Sequence, residues 1–318
     1  MRQLTTLLIF LSVALQAGAV EVEVYTVPEG AHPHDVAPAP EGKVWYTAQH
    51  QGALGILDPA TRRIEQVPLG EGSRPHGVIP GPDGAAWITD SGLNAIVRYD
   101  PASGEVTHFP LPEGSGHANL NTAAFDGRGV LWFTGQSGIY GRLDPASGEL
   151  HVLEAPGGRG PYGITATPDG EIYYASLAGS HIARIDTTTG RAERIDPPTA
   201  NQGARRVWAD SQGDVWVSEW TSGQLSRYRP SSGDWQSWKL PGANPRAYAI
   251  YVDDTDRVWV SDFGANALLS FDPESERFTA YPGSGPGASV RQIHGRPGEV
   301  WAPESGLDRL LVIRTGSD

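Results

Sequence analysis

The 318-residue chain has no cysteine. That excludes a disulfide framework and a lipid-modified cysteine, and it suits an oxidising compartment without requiring one. Basic residues are scarce: 24 Lys and Arg face 37 Asp and Glu, for a formal charge of −13. Phosphate recognition needs clustered Lys and Arg, so nucleic-acid binding is excluded. Docking on an anionic membrane surface is excluded for the same reason, whereas neutral or cationic partners stay open. No long hydrophobic run is present. The apolar stretch Leu4 to Ala14 is too short for a membrane span. With Met1-Arg2 before it and Ala17-Gly18-Ala19 after it, residues 1–19 read as a cleavable export signal. The mature protein is then expected to be periplasmic or secreted and free of the membrane. An uncleaved anchor or a buried first helix is the alternative. G-x-S-x-G, H-E-x-x-H, P-loop and dinucleotide fingerprints are also missing, and no His, Asp or Glu pair has a spacing that fixes a metal by itself.

What the chain does have is glycine (40) and proline (26) at recurring turn positions. These point to many short strands joined by turns. Trp45, Trp87, Trp132, Tyr173, Trp216, Trp259 and Trp301 follow one another at steps of 42, 45, 41, 43, 43 and 42 residues. A period in the low forties with about four strands per repeat is that of a β-propeller blade. The expected fold is therefore all-β, a single seven-bladed propeller over residues 20–318. Each repeat reads as a Pro-His-Gly-Val-like strand, an Asp-Gly-like turn, a Trp strand ending in Thr or Ser, a strand ending in Asp, and an outer strand with a Pro stop. The seventh repeat ends after Leu310 to Ile313 without an outer strand. Val22 to Gly30 resembles the outer strand Val106 to Gly114 of the second repeat. The mature N-terminus is thus expected to close the last blade and leave no open edge. The repeating aromatics are expected to fill the wedges between blades.

The repeat also serves as a ruler. About eleven residues before each anchor stand His34, His76, Asn121, Tyr162, Arg205, Tyr248 and Arg291, the last of them ten before. All are polar or can hydrogen-bond, whereas two positions later Val or Ile prevails, as at Val36, Val78, Ile164, Val207, Ile250 and Ile293. A polar ring at one height predicts the mouth of a central channel, where closed β architectures place ligand sites. Three residues after each anchor come Ala48, Asp90, Gly135, Ser176, Glu219, Asp262 and Glu304. The ionisable groups gather in blades five to seven and, through His34, His76 and Asp90, in blades one and two. Glu219, Asp262 and Glu304 could together hold Mg²⁺ or Ca²⁺, which take oxygen ligands. One of these acids, raised in pKa by its neighbours, could act as a general base. Alternatively, Arg–carboxylate pairs could brace adjacent blades. His294, three past Arg291, is read as off-axis.

Pro161-Tyr162-Gly163-Ile164, Pro75-His76-Gly77-Val78 and Trp132-Phe133-Thr134 resemble blades of the virginiamycin B lyase, or streptogramin B lyase, family, and the likeness spans roughly residues 21–313. The resemblance implies a seven-bladed propeller that linearises a cyclic depsipeptide by elimination at the ester C–O bond, aided by Mg²⁺. A general base would act on an acidic Cα–H while the metal polarises the lactone carbonyl. The family's catalytic set is a His opening blade six, a Glu and a His opening blade seven, and a Glu just after the seventh Trp. In this chain those places fall on Tyr248, Ser289, Arg291 and Glu304. A different gap would bring Gln292 and His294 to the blade-seven positions, at the cost of the match between Ile293 and Ile250. Either way at least two members are replaced, which puts native antibiotic cleavage in question. Tyr248 could serve as a base only with a lowered pKa, and Arg291 could stabilise an enolate or carboxylate. The expected activity is a carbon–oxygen lyase on a cyclic peptide or lactone. The alternatives are a non-catalytic propeller binding a small molecule or peptide, and a metal-dependent lactonase. A monomer is expected.

Overall fold

The computed structural model describes residues 20–315, so the expected signal segment lies outside the described residues. The described chain forms seven four-stranded antiparallel sheets set around one axis, as the repeat length requires. The first blade is Pro33–Pro38, Val44–Ala48, Ala53–Asp58 and Arg63–Pro68, from axis to rim. The outer strand is mostly exposed, and its terminal proline costs no ladder hydrogen bond there. No described helix is long and apolar enough to cross a membrane.

The last blade closes as its truncated repeat predicts. Its sheet runs His294–Arg296, Glu299–Glu304, Arg309–Arg314 and then Glu21–Thr26. The N-terminal strand pairs in register from Glu21 with Arg314 to Thr26 with Arg309. Tyr25 is buried against Trp301, with ring centroids 5.6 Å apart. The inner strands of blades one and seven also touch at the axis, where the Gln292 N–H donates to the His34 carbonyl at 3.2 Å.

The anchors do what large aromatics at a fixed height in wedge-shaped gaps should do. Six Trp and Tyr173 are at most 1% exposed and pack into the clusters between blades. Burying an indole N–H demands an acceptor, and the hairpin turn of the same blade supplies one. Trp132, Trp216 and Trp259 donate to Asp126, Asp210 and Asp253 at 3.0, 2.8 and 2.7 Å.

Two further sequence features acquire a reason at the axis. Each innermost hairpin of blades one to six shifts register right after its first residues, as between Pro75 and Gly77 or Ala247 and Ile250. Such a bulge leaves a backbone N–H unpaired and re-aims a side chain. The hydroxyl two residues after the anchor takes that N–H and donates to a carbonyl of the next blade. Thr47 accepts from Asp35 N at 3.0 Å and donates to the His76 carbonyl at 2.9 Å. Ser218 accepts from Arg206 N at 3.1 Å and donates to the Tyr248 carbonyl at 2.7 Å. The Trp-x-Thr/Ser pattern is therefore a stitch between neighbouring blades. Blade four has Ala175 there, and Gly163 takes over by close approach: a Cβ on it would lie 2.6 Å from Arg206 Cα.

Candidate functional site at the channel mouth

The seven ring residues do come together. Tyr248 Oη lies 2.9 Å from Tyr162 Oη, 3.4 Å from His34 Nε2 and 3.3 Å from Arg291 Nη1. Arg205 Nη2 donates to Tyr162 Oη at 2.9 Å. The His34 and His76 rings are 3.9 Å apart, and Asn121 Nδ2 is 3.2 Å from His76 Nε2. The Arg205 guanidinium lies over Tyr248, Trp220 and Tyr162 at 3.8, 4.5 and 4.7 Å from their centroids. Phe263 stacks on Tyr248 at 4.7 Å. Arg205, Arg291, Trp220 and Phe263 are half-buried, whereas Tyr248 is fully covered. The ring register holds in blade seven too. Val290 bridges to Glu304 as Ala247 pairs with Asp262, so Arg291 is the counterpart of Tyr248. The ten-residue spacing reflects a hairpin one residue shorter. His294 pairs with Trp301, whereas Tyr251 pairs with Trp259.

The layer just below was not singled out from the sequence, although one position after each ring residue the chain reads Asp35, Gly77, Thr122, Gly163, Arg206, Ala249 and Gln292. Small and polar residues only, at an axial position, were the available signal. The glycines and alanine leave room for an arginine to lie across the axis. Arg206 reaches Asp35 of the opposite side, with Nη2 3.3 Å from Oδ1, and Thr122 Oγ1 at 2.7 Å. Both charges are buried, at 1% and 2% exposure. Asp35 Oδ1 also lies 2.7 Å from His34 Nδ1. That contact places the neutral imidazole proton on Nδ1 and turns Nε2, as an acceptor, toward Tyr248.

Electrostatics separate the two tyrosines. Burial pushes both phenols up, but for Tyr248 the nearby Arg205, Arg206 and Arg291 outweigh it and hold the phenol below its ordinary value, at about 8. Tyr162, disfavoured by burial and by its neighbour Tyr248, is pushed up to about 12. Burial, reinforced by the arginines, drives His34 well below the usual histidine range. His76 follows, through burial and then His34. Burial raises Asp35, and Arg206 opposes that rise. The mouth thus offers one proton acceptor among fixed cations.

The acids expected to share an ion do not meet. Asp90, Asp262 and Glu304 are turned into the loops that enter their own blades, and Glu219 into the hairpin that follows it. Asp90 accepts from Arg74 N, Gly92 N and Leu93 N at 2.9, 2.9 and 3.0 Å. Asp262 accepts from Arg246 N and Gly264 N at 2.7 and 2.8 Å. Glu219 binds the Ser222 and Ser226 hydroxyls, and Glu304 binds Ser284 through its N–H, at 2.7 Å, and its hydroxyl. Each carboxylate is thus engaged by amides or hydroxyls of its own blade and by no other acid, and among the described residues Asp262 Oδ2 alone of this set has no partner. The expected metal set Glu219, Asp262 and Glu304 is corrected on this ground, whereas an Arg–carboxylate brace is present one layer below the ring, as Arg206–Asp35 between blades five and one, and the half-buried charges of the mouth itself are Arg205 and Arg291. Among the described residues only His34, Asp35 and His76 bring possible ligand atoms within 4.8 Å of one another. Two imidazoles and one carboxylate already paired with Arg206 do not fit Mg²⁺, which prefers an oxygen shell. His294 is not among these three; it lies edge-on to Trp208 at 4.9 Å and lines the channel below the ring, so the off-axis reading is corrected.

A family model described as the virginiamycin B lyase family matches residues 11–268. No curated protein sequence matches the chain. Among solved structures, a streptogramin B lyase is similar at 22% identity and a TM-score of 0.84, over 93% of this chain and 97% of the other. The virginiamycin B lyase of Staphylococcus aureus is similar at 20% identity and 0.85, over 93% and 99%. A structure of YCF48 bound to D1 peptide shares the propeller at 16% identity and 0.74, over 93% and 97%. At these identities the structures speak to the fold, and the family model, covering well over half of the chain, speaks to descent. The chain belongs to the virginiamycin B lyase family, with a tyrosine and an arginine at the two ring positions where the resemblance implies histidines.

Proposed function

We propose that this exported, monomeric family member binds a small lactone or cyclic depsipeptide at the channel mouth and opens it by elimination at a C–O bond, without a metal. The observation that supports this reading is Tyr248, a phenol held to about 8 by three arginines beside the acceptor nitrogen of His34. As phenolate, Tyr248 takes the proton from the carbon next to the carbonyl. The electron pair forms the new C=C bond, and the ester oxygen leaves as a carboxylate. Arg205 and Arg291 stabilise the negative charge on the carbonyl oxygen as it develops. His34 Nε2 accepts a hydrogen bond from the Tyr248 hydroxyl and so orients the phenol, at 3.4 Å. A solved virginiamycin B lyase holds quinupristin, which indicates the size of ligand that the fold accommodates in that protein.

A second reading is a non-catalytic site for an anionic or aromatic small molecule. Its support is that Tyr248 is 0% exposed beneath Arg205 and Phe263. Incubation of the purified protein with virginiamycin B and EDTA decides between the two. Elimination predicts ester opening whose rate rises with pH and levels off above about 8, and a loss of about 100-fold or more in Tyr248→Phe. Saturable binding without turnover supports the second reading. Full turnover by Tyr248→Phe sinks the assignment of the base.

A further inference from the structure

The axial channel has a second end. Beneath the Asp35–Arg206 pair, the far halves of the inner strands of six blades line a cavity of about 240 Å³ that opens to solvent at its outer end. Its wall is apolar at Phe125, Ile164 and Trp208 and polar at Arg206, Gln292 and His294. The polar groups are incompletely used. Arg206 Nε and Gln292 Oε1 are buried without a hydrogen-bond partner among the described residues. Their residues are 1% and 6% exposed. Gln292 is otherwise fixed, since its amide nitrogen donates to the Ile250 carbonyl at 2.8 Å and the Ile293 carbonyl at 3.0 Å. A buried donor and a buried acceptor left unmade are costly, and native structures normally supply partners for them.

We propose that this cavity is a second binding site, distinct from the mouth, for a small neutral molecule carrying an apolar ring and an amide edge. The amide carbonyl would accept from Arg206 Nε–H and the amide N–H would donate to Gln292 Oε1. The ring would lie among Phe125, Ile164 and Trp208. Neutrality follows from charge: Arg206 is already balanced by Asp35, so a carboxylate would enter with no free cation to meet it. Size follows from volume, since 240 Å³ is below the about 300–1,000 Å³ of drug-sized pockets and suits a single ring with its substituent.

Benzamide and benzoate are the probes, titrated into the full-length protein by calorimetry and soaked into crystals. Ala166 lines the same cavity, and Ala166→Phe adds a ring to its wall while leaving Arg206 and Gln292 in place. The expected result is saturable benzamide binding, with benzoate weaker by about tenfold or more. Ala166→Phe should abolish that binding, and Arg291→Ala, at the mouth, should leave it unchanged. Equal affinity for benzoate, unchanged binding in a folded Ala166→Phe, or a cavity holding only ordered water in benzamide-soaked crystals would overturn the proposal.

Discussion

Replacing Arg206 with methionine tests whether an arginine laid across the axis holds the ring together. Met keeps much of the aliphatic volume and removes the guanidinium. Three contacts go with it: the pair with Asp35 at 3.3 and 3.5 Å, and the hydrogen bond to Thr122 at 2.7 Å. These tie blade five to blades one and three. Asp35 would keep only the imidazole of His34 at its side, at 2% exposure. Removing one partner of a buried pair costs about 3–5 kcal/mol, chiefly because the other charge is stranded. For a domain of this size that corresponds to a fall in the thermal midpoint of roughly 5–8 °C. Asp35→Asn strands the guanidinium instead and should cost a similar amount. The double variant strands neither, so its loss should be smaller than the sum, with a coupling of about 2–4 kcal/mol. Calorimetric unfolding of the four proteins closes the cycle. Additive losses, or an Arg206→Met midpoint equal to wild type, would refute the claim that the two charges are coupled across the channel.

Two other perturbations bear on the same architecture. Deleting residues 20–30 removes the strand that pairs with Arg309–Arg314 together with buried Tyr25 and Val27. These two side chains alone are worth about 3–6 kcal/mol, so an unchanged midpoint would rule out closure by the N-terminal strand. Acid should weaken the fold through histidine. Burial holds His294 at about 4 and His34 and His76 well below their ordinary range, so the folded state disfavours their protonation. Stability is then complete above about pH 6.5 and falls as pH drops toward 4, with His294 contributing up to about 3 kcal/mol, less what solvent at its half-buried ring screens. Asp35 and Glu219, raised by burial, pull the other way at lower pH. A flat urea midpoint between pH 7 and 5 would contradict this, and His294→Phe should shrink the slope.

The fold was legible because a propeller repeats one local problem seven times. A forty-odd-residue step, the Trp anchors and the missing outer strand each have a single cheap solution, and the structure uses it. The ring His34 to Arg291 was legible for the same reason: register places equivalent residues at equal height. Side-chain direction was not. Glu219, Asp262 and Glu304 sit at one height as expected, yet Ser284 N and Arg246 N in the entering loops meet Glu304 and Asp262 at 2.7 Å, and the Ser222 and Ser226 hydroxyls of the following hairpin take Glu219. Loop amides are invisible to a count of charged letters. The Asp35–Arg206 pair escaped for the opposite reason. The partners are 171 residues apart and meet only because the channel is narrow enough for one arginine to cross it.

The replaced family positions are better understood as one change than as two losses. A buried tyrosine alone makes a poor base: burial pushes Tyr46, Tyr174 and Tyr251 upward, and no arginine lowers them. Tyr248 is just as buried and moves down, because Arg205, Arg206 and Arg291 face it. Arginine at position 291 is therefore part of what makes tyrosine at position 248 usable at moderate pH. The same cations make the mouth hostile to a divalent metal, so arginine at position 291 and tyrosine at position 248 suit a site that works without one. If this coupling holds, Arg291→Met should raise the pH at which tyrosinate absorbance first appears in the ultraviolet, and Tyr248→Phe should remove that early step altogether. An early step that persists in Tyr248→Phe would assign the low-pKa phenol elsewhere and separate the two replacements again.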